Sequence, residues 1–481
     1  MRNTPTFYLW INGKAQESDS NIEVRNPYND TVIASVAMAG KKHIREAIRG
    51  CADAFAEMRS MPRIKRAHIL ANIADGLRDS TTEIVDTLIL EGGKPRLFAE
   101  QELNRTMSVF SWAAEEAKRF GGEIIPMDGN ERGVGYEGYT IREPIGTIMG
   151  ICPFNFPLNL VAHKVAPALA VGNPCIIKPA SSTPISALIM ARIASEAGAP
   201  AGSLNVLPMQ HQDARMLFKE TSVRMISFTG SPKVGWQLKS QAGNKRVALE
   251  LGGNSGTIVD MSADLEWAAE RCALGGFAQA GQSCIAVQRI YVHRCVYEPF
   301  LDLLIRQATS LKTGNPKNKD IVLGPVIDTE AADRIMSWIH EAKTDGAKVA
   351  HGGRRLKSGC GNIIEPTIMT NTKEKMKICR EELFGPVVTV TPFDHMDDAI
   401  NRVNHSRFGL QAGIFSNSLE HIQNAIDRLE VGGVVVNDFP TYRVDHMPYG
   451  GAKDSGLGRE GIRYAMQEMS EEKMVVIRKG K

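Results

Sequence analysis

Short apolar runs alternate with helix-like patterns along nearly the whole chain, and this alternation restricts the fold more than any other feature. The segment "ALAVGNPCIIKPA" has the pattern of a helix end, a glycine turn and a buried strand. "ALIMARIASEAGAP" reads as a helix closed by glycine and proline, and "SLNVLP" and "VRMISFTG" read as strands. "SPKVGWQLKSQA" follows as a helix. Repeated strand–helix–strand units predict parallel sheets with helices on both faces.

A second series of strand-like segments runs from about residue 255 to 435. Its members are "GTIVD", "RIYVH", "IEPTIMT", "VVTVTPF" and "GGVVVND". The end of the chain, "EEKMVVIRKGK", has a strand-like centre and a basic tail, which suits pairing with another subunit. The sequence therefore predicts an α/β protein with two parallel sheets.

Composition excludes several classes of function. The 481 residues suffice for two or three domains. A net charge of +3, with no basic tract among aromatic residues, argues against a nucleic-acid partner. No apolar run is long enough to span a membrane, and the first residues lack the features of a signal peptide. The 8 cysteines are scattered without CxxC spacing, which predicts free thiols, a cytoplasmic location and no metal site.

The stretch "GLGREG", residues 456 to 461, matches the G-x-G-x-x-G dinucleotide fingerprint. That motif requires a strand before it, a helix after it and an acidic residue about 20 positions on. Here "GGAKDS" precedes it and the sequence stops at Lys481. We therefore interpret it as a flexible loop before the helix "REGIRYAMQEM".

A cysteine in a glycine turn is the first candidate for chemistry. Cys284 follows Gly281 in "QAGQSCIAVQR", whereas an inert core cysteine usually lies among branched apolar residues. A thiolate attacks carbonyl carbons, and Glu250 in "LELGGN" is a candidate general base. Taken singly, a buried structural thiol and a capping carboxylate remain open alternatives.

Three further segments carry polar candidates. The Asn155 amide in "PFNFPL" suits an oxyanion, although turn asparagines often satisfy backbone groups. Lys178 ends a buried strand, where a cation reaches a ribose or phosphate, but a snorkelling surface lysine has the same pattern. Ser231 opens a helix, where backbone amides suit a pyrophosphate and an ordinary N-cap fits equally well.

In combination, these segments resemble the aldehyde dehydrogenase superfamily in its NAD(P)-dependent, non-phosphorylating form. The resemblance rests on "PFNFPL", "IIKPAS-TP", "FTGS--VG", "LELGGN", "GQSC", "EELFGPV", "VNDFP" and "PYGGAKDSGLGREG", which occur in family order over essentially the whole chain. Gly256 departs from the pattern, because the glutamate motif commonly has a non-glycine residue there. Ser283 stands where some subfamilies carry arginine.

The resemblance implies a three-part fold that assembles as a homodimer or homotetramer. It consists of a Rossmann-like cofactor domain, an α/β catalytic domain and a β oligomerisation arm. We expect the cofactor domain at 1–119 and 141–252, the catalytic domain at 253–435, the arm at 120–140 and 464–481, and a returning segment at 436–463.

The resemblance also implies how the reacting groups work. Cys284 is the nucleophile, and its backbone N–H and the Asn155 amide form an oxyanion hole. The thiohemiacetal gives up hydride to become a thioester, and Glu250 then activates the water that hydrolyses it. Neither Gly256 nor Ser283 is among these reacting groups.

Cofactor contacts are implied in the same way, with NAD or NADP as the cofactor. The residues expected at the nucleotide are Lys178, Ser181, Gly230, Ser231, Phe154, Glu382 and Phe384. Outside the family context, Glu382 and Phe384 have plainer interpretations as a helix-start carboxylate and a core aromatic. Strongly NAD-preferring relatives commonly carry glutamate at the position of Ser181. Serine does not repel a 2′-phosphate, so we expect NADP to be accepted.

Two arginines and a serine are the candidates for substrate selection. Arg105 and Arg443 together favour a carboxylate, phosphate or sulfonate tail, while a solvated helix arginine and a loop salt bridge are the plainer alternatives. Ser283 lacks the guanidinium of some phosphate-handling relatives. The expected substrate is a short hydroxy- or anion-bearing aldehyde, such as glyceraldehyde 3-phosphate, lactaldehyde, sulfolactaldehyde or succinate semialdehyde. His163 either lines the substrate tunnel or is a satisfied helix histidine.

Three other functions compete with this one. A coenzyme A-acylating semialdehyde dehydrogenase typically lacks the glutamate base, so Glu250 argues against it. A cysteine hydrolase needs a histidine paired with the thiol, and no such motif accompanies Cys284. A non-catalytic descendant would be expected to have lost Cys284, Glu250 or Asn155, and all three remain.

Overall fold

The computed structural model describes residues 4–480 of the chain. Its α-helices are α1 (Lys41–Ser60), α2 (Arg63–Asp79), α3 (Thr81–Gly92), α4 (Arg96–Arg119), α5 (Asn159–Val171), α6 (Ile185–Glu196), α7 (His211–Lys219), α8 (Pro232–Gln241), α9 (Leu265–Phe277), α10 (Tyr297–Ser310), α11 (Thr329–Thr344), α12 (Lys377–Arg380), α13 (Met396–Asn404), α14 (Leu419–Arg428) and α15 (Ile462–Glu468). No helix within the described range is long and apolar enough to cross a bilayer.

The strands are β1 (Thr6–Phe7), β2 (Leu9–Ile11), β3 (Lys14–Gln16), β4 (Asn21–Arg25), β5 (Val32–Ala37), β6 (Ile124–Ile125), β7 (Tyr136–Pro144), β8 (Thr147–Ile151), β9 (Cys175–Lys178), β10 (Leu204–Val206), β11 (Val223–Thr229), β12 (Arg246–Glu250), β13 (Gly256–Val259), β14 (Arg289–His293), β15 (Lys348–His351), β16 (Arg355–Leu356), β17 (Ile363–Ile364), β18 (Thr367–Thr370), β19 (Val387–Phe393), β20 (Phe408–Gly409), β21 (Gln411–Phe415), β22 (Gly433–Val436), β23 (Ala452–Lys453), β24 (Gly456–Leu457) and β25 (Ser470–Arg478).

The first large sheet has eight strands in the order β24-β12-β11-β8-β9-β10-β2-β3. Its five inner strands, from β12 to β10, run parallel, as the strand–helix alternation predicts. Neighbouring residues point to opposite faces, as a strand requires. Ile148 packs in a core with α2, α4, α5 and α6, and Met149 packs in a core with α1 and α7.

The second large sheet has seven strands in the order β15-β18-β19-β14-β13-β21-β22. All its strands are parallel except the edge strand β15. Ile290 faces a core with α9, α10 and α11, whereas Tyr291 faces a second core with α13. The prediction of an α/β fold with two largely parallel sheets is confirmed.

A separate three-stranded sheet of order β25-β7-β6 includes the C-terminal strand. Ser470–Arg478 pairs antiparallel with Tyr136–Pro144 over nine residue pairs. This long strand therefore continues past residue 140, the expected end of the arm. Residues 464–468 lie in α15, which packs against α4 and α5, so the strand part of the expected arm begins at Ser470.

Candidate active site

A cavity of about 480 Å³ collects residues from distant parts of the sequence. Its walls come from α4, from the segment after β8, from the ends of β11 and β12, and from the loops that contain Cys284 and Tyr449. Asn155, Glu250 and Cys284, the three residues predicted to react, all line it. Parallel strands present their carboxyl ends at one edge, which is where α/β proteins bind ligands.

The turn before Cys284 is built from left-handed backbone. Gln279, Ala280 and Gly281 have φ angles of 52°, 56° and 65°. Two of these residues are not glycine, so surrounding structure must hold the turn in place. At Gly281 itself, an added Cβ would stand 2.2 Å from the carbonyl oxygen of Gly385, so a side chain does not fit there. This turn brings Cys284 to the cavity wall.

Both the side chain and the backbone oxygen of Asn155 make hydrogen bonds. Its side-chain Nδ2 donates to the backbone oxygen of Gln282, 3.0 Å away, so it is tied to the cysteine loop. An amide nitrogen has two hydrogens, and the second remains for another acceptor. The backbone oxygen of Asn155 accepts from Lys94 Nζ at 2.8 Å and from Gln279 Nε2 at 2.6 Å.

Glu250 is the last residue of β12 and is 5% exposed. Burial raises the pKa of its carboxyl group well above the ordinary glutamate value, and the nearby Glu460 carboxylate raises the pKa further. Its Oε2 atom has no hydrogen-bond partner among the described residues. The side chain therefore favours the protonated form, and it becomes a base as the pH rises.

The structure shows that our interpretation of "GLGREG", which contains Glu460, was wrong. That segment is not a flexible loop, because Gly456 pairs with Glu250 between β24 and β12. Glu460 is buried and forms ion pairs with Lys164 at 3.2 Å and Arg443 at 3.1 Å. Burial opposes ionisation, but these two cations hold the pKa of Glu460 at about 2.

Most of the residues expected at the cofactor line the same cavity, namely Phe154, Gly230, Ser231, Glu382 and Phe384. Phe154 and Phe384 meet edge to face with 5.8 Å between ring centroids. Glu382 accepts a hydrogen bond from the backbone N–H of Gly253 at 3.1 Å, and burial raises its pKa to about 7. A carboxyl group and two aromatic rings therefore line the same cavity as Cys284.

Lys178 and Ser181 do not line this cavity. Lys178 ends β9 beside Ile151 of β8, and burial lowers the pKa of its ammonium group. No carboxylate within residues 4–480 forms an ion pair with it at 4.0 Å or less. Ser181 is exposed in the turn that follows. Lys178 lies at the carboxyl end of the parallel strands, as Glu250 does, and Ser181 lies just beyond it.

The two candidate substrate arginines line the cavity, as does Ser283, but each arginine also has a carboxylate partner. Arg105 is bidentate on Asp445, with distances of 2.6 and 3.1 Å. Arg443 pairs with Glu460, and its side chain is 7% exposed. His163 does not line the cavity; its Nε2 lies 2.8 Å from Asp445, whereas its buried Nδ1 has no hydrogen-bond partner among the described residues.

The ionic network beside Glu250 has an excess of positive charge. Burial lowers the pKa of His163, and it raises that of Glu250, so both favour their neutral forms. The remaining charged groups are three cations and two carboxylates: Lys164, Arg105 and Arg443 with Glu460 and Asp445. One uncompensated positive charge favours an anion in the cavity.

Sequence patterns did not predict several of these residues, including Lys94, Lys164, Asp445, Tyr449 and Glu460. None of them lies in a pattern that predicts reactivity. A weak signal was available for Tyr449 and Glu460, because both fall inside "PYGGAKDSGLGREG". The partners of Lys94, Lys164 and Asp445 can be identified only in the folded structure.

Two largely parallel sheets and a cavity that contains a thiol, a buried glutamate and aromatic rings are compatible with an enzyme that oxidises aldehydes through a cysteine. The sequence pattern of the aldehyde dehydrogenase family matches residues 13–475. The chain belongs to the aldehyde dehydrogenase family.

Individual relatives agree with this assignment. The chain is 41% identical over 472 residues to a 3-sulfolactaldehyde dehydrogenase of Priestia aryabhattai, covering 98% of each chain. Aldehyde dehydrogenase 21 of Physcomitrella patens, solved with the reaction product succinate, superposes with a TM-score of 0.96 at 40% identity over 99% of each chain. The glyceraldehyde-3-phosphate dehydrogenase GapN of Methanocaldococcus jannaschii, complexed with NADP, gives a TM-score of 0.91 at 35% identity over 96% of this chain and all of that one (100%).

Proposed function

We propose that this protein oxidises a short, hydroxy- or anion-bearing aldehyde to its carboxylic acid with NAD or NADP. The observation that carries the proposal is the single cavity lined by Cys284, Asn155 and Glu250. These groups supply a nucleophile, an oxyanion donor and a base, which are the functions that a thioester route needs.

In the first step, the Cys284 thiol loses its proton to solvent and its sulfur bonds to the aldehyde carbon. The carbonyl electron pair moves to oxygen, and the resulting oxyanion accepts hydrogen bonds from Asn155 Nδ2 and the Cys284 backbone N–H. The loop that precedes the cysteine is tied to Asn155 through Gln282, so the two donors stay together.

The second half of the reaction regenerates the thiol. A bound nicotinamide cofactor would supply the hydride acceptor that this half of the reaction needs. The carbonyl reforms and leaves a thioester on Cys284. Deprotonated Glu250 removes a proton from water, the water oxygen attacks the thioester carbon, and the carbon–sulfur bond breaks to release the acid.

Replacing Asn155 with alanine is expected to lower turnover roughly 100-fold or more, because an oxyanion donor is worth about 3 kcal/mol in the transition state. Steady-state kcat of the purified variant is the measurement. Alanine also removes the tie to Gln282, so the rate at which iodoacetamide alkylates Cys284 serves as a control and should stay unchanged. Wild-type turnover in this variant contradicts the role.

The chain's own residues fit a dinucleotide. Helix α8 begins after Ser231, whose side chain makes no capping hydrogen bond, so backbone amides at this helix start remain for a pyrophosphate. Lys178 suits the adenine ribose, and Glu382 suits the nicotinamide ribose. NADP is among the cofactors, since a related structure is complexed with it and Ser181 carries no negative charge.

A glutamate in place of Ser181 should reduce kcat/KM for NADP about 10- to 100-fold while that for NAD stays constant or rises. The added carboxylate repels a 2′-phosphate and accepts from a 2′-hydroxyl. The specificity ratio of the two cofactors measures this change. Ser182→Glu, at the next exposed serine, is the matched control. A strong preference of the unmodified protein for NAD contradicts the inference drawn from Ser181.

Two observations support an anion-bearing substrate. The network beside Glu250 has one excess positive charge, and the Arg105 side chain, which lines the cavity, is 30% exposed. Relatives of this chain include a 3-sulfolactaldehyde dehydrogenase, a lactaldehyde dehydrogenase and a sulfoacetaldehyde dehydrogenase. Their aldehydes, as named, bear a sulfonate or a hydroxyl group.

An aldehyde panel, read as nicotinamide reduction with both cofactors, tests the function. Matched pairs separate the effect of the tail: succinate semialdehyde against butanal, and lactaldehyde against propanal. We expect the highest kcat/KM for an anionic or hydroxylated member. Product analysis with and without coenzyme A distinguishes the free acid from an acyl-coenzyme A. Reduction that requires coenzyme A, or no reduction with any aldehyde, overturns the proposal.

We propose that β25 and β7 form an arm that joins copies of the chain into a homodimer or homotetramer. Met474, Val476 and Ile477 are exposed on β25, which is an edge strand of its sheet within the described residues. We also propose that the chain has a cofactor domain and a catalytic domain with the bounds given above. The 8 free cysteines support a reducing, cytoplasmic setting.

A further inference from the structure

The phenol of Tyr449 contacts the sulfur of Cys284. Tyr449 Oη lies 3.1 Å from Cys284 Sγ, although the two residues are 165 positions apart in the chain. Tyr449 is 3% exposed. Its backbone is held by two hydrogen bonds with Glu460, from N–H to oxygen at 3.0 Å and from oxygen to N–H at 2.7 Å. The backbone of Tyr449 is therefore held in place, and its side chain lines the cavity beside Cys284.

The direction of this hydrogen bond follows from the state of the sulfur. A thiolate has no hydrogen, so in the reactive form only the phenol can donate. Burial raises the pKa of Tyr449 well above the ordinary tyrosine value, and the phenol keeps its proton. The Arg443 guanidinium lies 3.7 Å from the centroid of the Tyr449 ring, where its charge draws electron density from the phenol and strengthens it as a donor.

The sulfur needs such a donor because its surroundings disfavour negative charge. Burial raises the pKa of the Cys284 thiol to about 12, and the hydrogen bond from Tyr449 acts against that rise. Among the charged groups that face the sulfur, the carboxylates of Glu382 and Glu250 disfavour a thiolate and the Arg443 guanidinium favours it. Tyr449 is the group in direct contact.

We propose that Tyr449 is a further catalytic residue, whose phenol donates to the Cys284 sulfur and thereby stabilises and orients the thiolate that attacks the aldehyde. This inference rests on the proposed function of Cys284. Tyr449 keeps its proton throughout, while the thiol proton leaves to solvent. Once the sulfur has bonded to carbon it carries no negative charge, so the phenol acts on the attack and on the return of the thiolate.

Tyr449→Phe removes the donor and leaves the ring. A hydrogen bond to a charged group shifts a pKa by about one to two units, and the basicity gained by the sulfur offsets about half of the effect on its reactivity. We therefore expect iodoacetamide to alkylate Cys284 about three- to fifteen-fold more slowly at each pH between about 7 and 9. Tyr442→Phe, at an exposed tyrosine of the same loop, is the matched control and should react at the wild-type rate.

Kinetic measurements distinguish a residue that stabilises the thiolate from one that only lines the cavity. The first turnover of nicotinamide reduction should slow in Tyr449→Phe, while the dissociation constant of NADP stays constant. A wall residue alters KM for the aldehyde and leaves alkylation unchanged. Tyr449→Met, a second variant without the donor, should show the same fall in alkylation.

Wild-type alkylation rates in both folded variants overturn the proposal. The test does not depend on knowing the aldehyde, because alkylation reports the thiolate directly. If the unmodified protein reduced no cofactor with any aldehyde, the proposed function would fail while the alkylation comparison still decided whether Tyr449 stabilises the thiolate.

Discussion

Replacing Cys284 with serine is expected to reduce aldehyde oxidation on the order of 10⁴-fold or more, while the protein still folds and binds cofactor. A serine hydroxyl is far less acidic than a thiol, so the attacking anion is scarce at neutral pH. The oxygen also makes a poorer leaving group, which slows the release of the acid. The measurement is the rate of nicotinamide reduction with the best aldehyde of the panel, together with the affinity for NADP by titration.

Cys295 provides the matched control for that substitution. It is a free, exposed cysteine that does not line the cavity. Cys295→Ser should therefore retain full activity, whereas Cys284→Ser should lose it. Aldehyde oxidation that survives in Cys284→Ser at the wild-type rate rules out the thioester route and removes the basis of the proposed mechanism.

Much of the architecture follows from patterns that act over a few residues. "RIYVH" and "VVTVTPF" are apolar runs of strand length, and each forms a buried parallel strand. Several strands were not predicted, among them β21 at Gln411–Phe415, whose glutamine, alanine and glycine do not form a branched apolar run. It nonetheless lies buried between β13 and β22. Burial on both faces, rather than intrinsic preference, makes this segment a strand.

The order of strands in space did not follow from these local patterns. In the eight-stranded sheet, β8 lies between β11 and β9, and the N-terminal hairpin of β2 and β3 completes the far edge beside β10. Such neighbours are selected by which apolar faces pack together, over separations of more than a hundred residues. Local periodicity predicts that a strand exists and leaves its neighbour undetermined.

The candidate active site was likewise predicted only in part from the sequence. Cys284, Asn155 and Glu250 were predicted because their residue types suit the chemistry and their motifs resemble those of the family. Tyr449 contacts Cys284 and Lys94 contacts Asn155, and no spacing rule links either residue to its distant partner. Glu460 was placed in a flexible loop because glycines surround it, although ion pairs with two cations hold it in the core.

Replacing Glu250 with glutamine is expected to separate the two halves of the reaction. Attack and hydride loss do not need the carboxylate, so the variant should still reduce about one equivalent of cofactor in the first turnover. Hydrolysis should then slow about 10²- to 10⁴-fold, since a positioned general base contributes that factor. Rapid mixing measures the burst, and mass spectrometry of the quenched protein detects the acyl group on Cys284. Glu266→Gln, at an exposed glutamate in the first turn of α9, is the control.

The role of Glu250 also predicts how the rate of thioester hydrolysis changes with pH. Water activation needs the deprotonated carboxylate, and burial, followed by the charge of Glu460, raises the pKa of Glu250. The rate of thioester hydrolysis in the unmodified protein should therefore rise with pH, with a midpoint above the ordinary glutamate value, and this rise should disappear in Glu250→Gln. An acyl-enzyme that hydrolyses at the wild-type rate in Glu250→Gln, with the same pH profile, shows that another group activates the water.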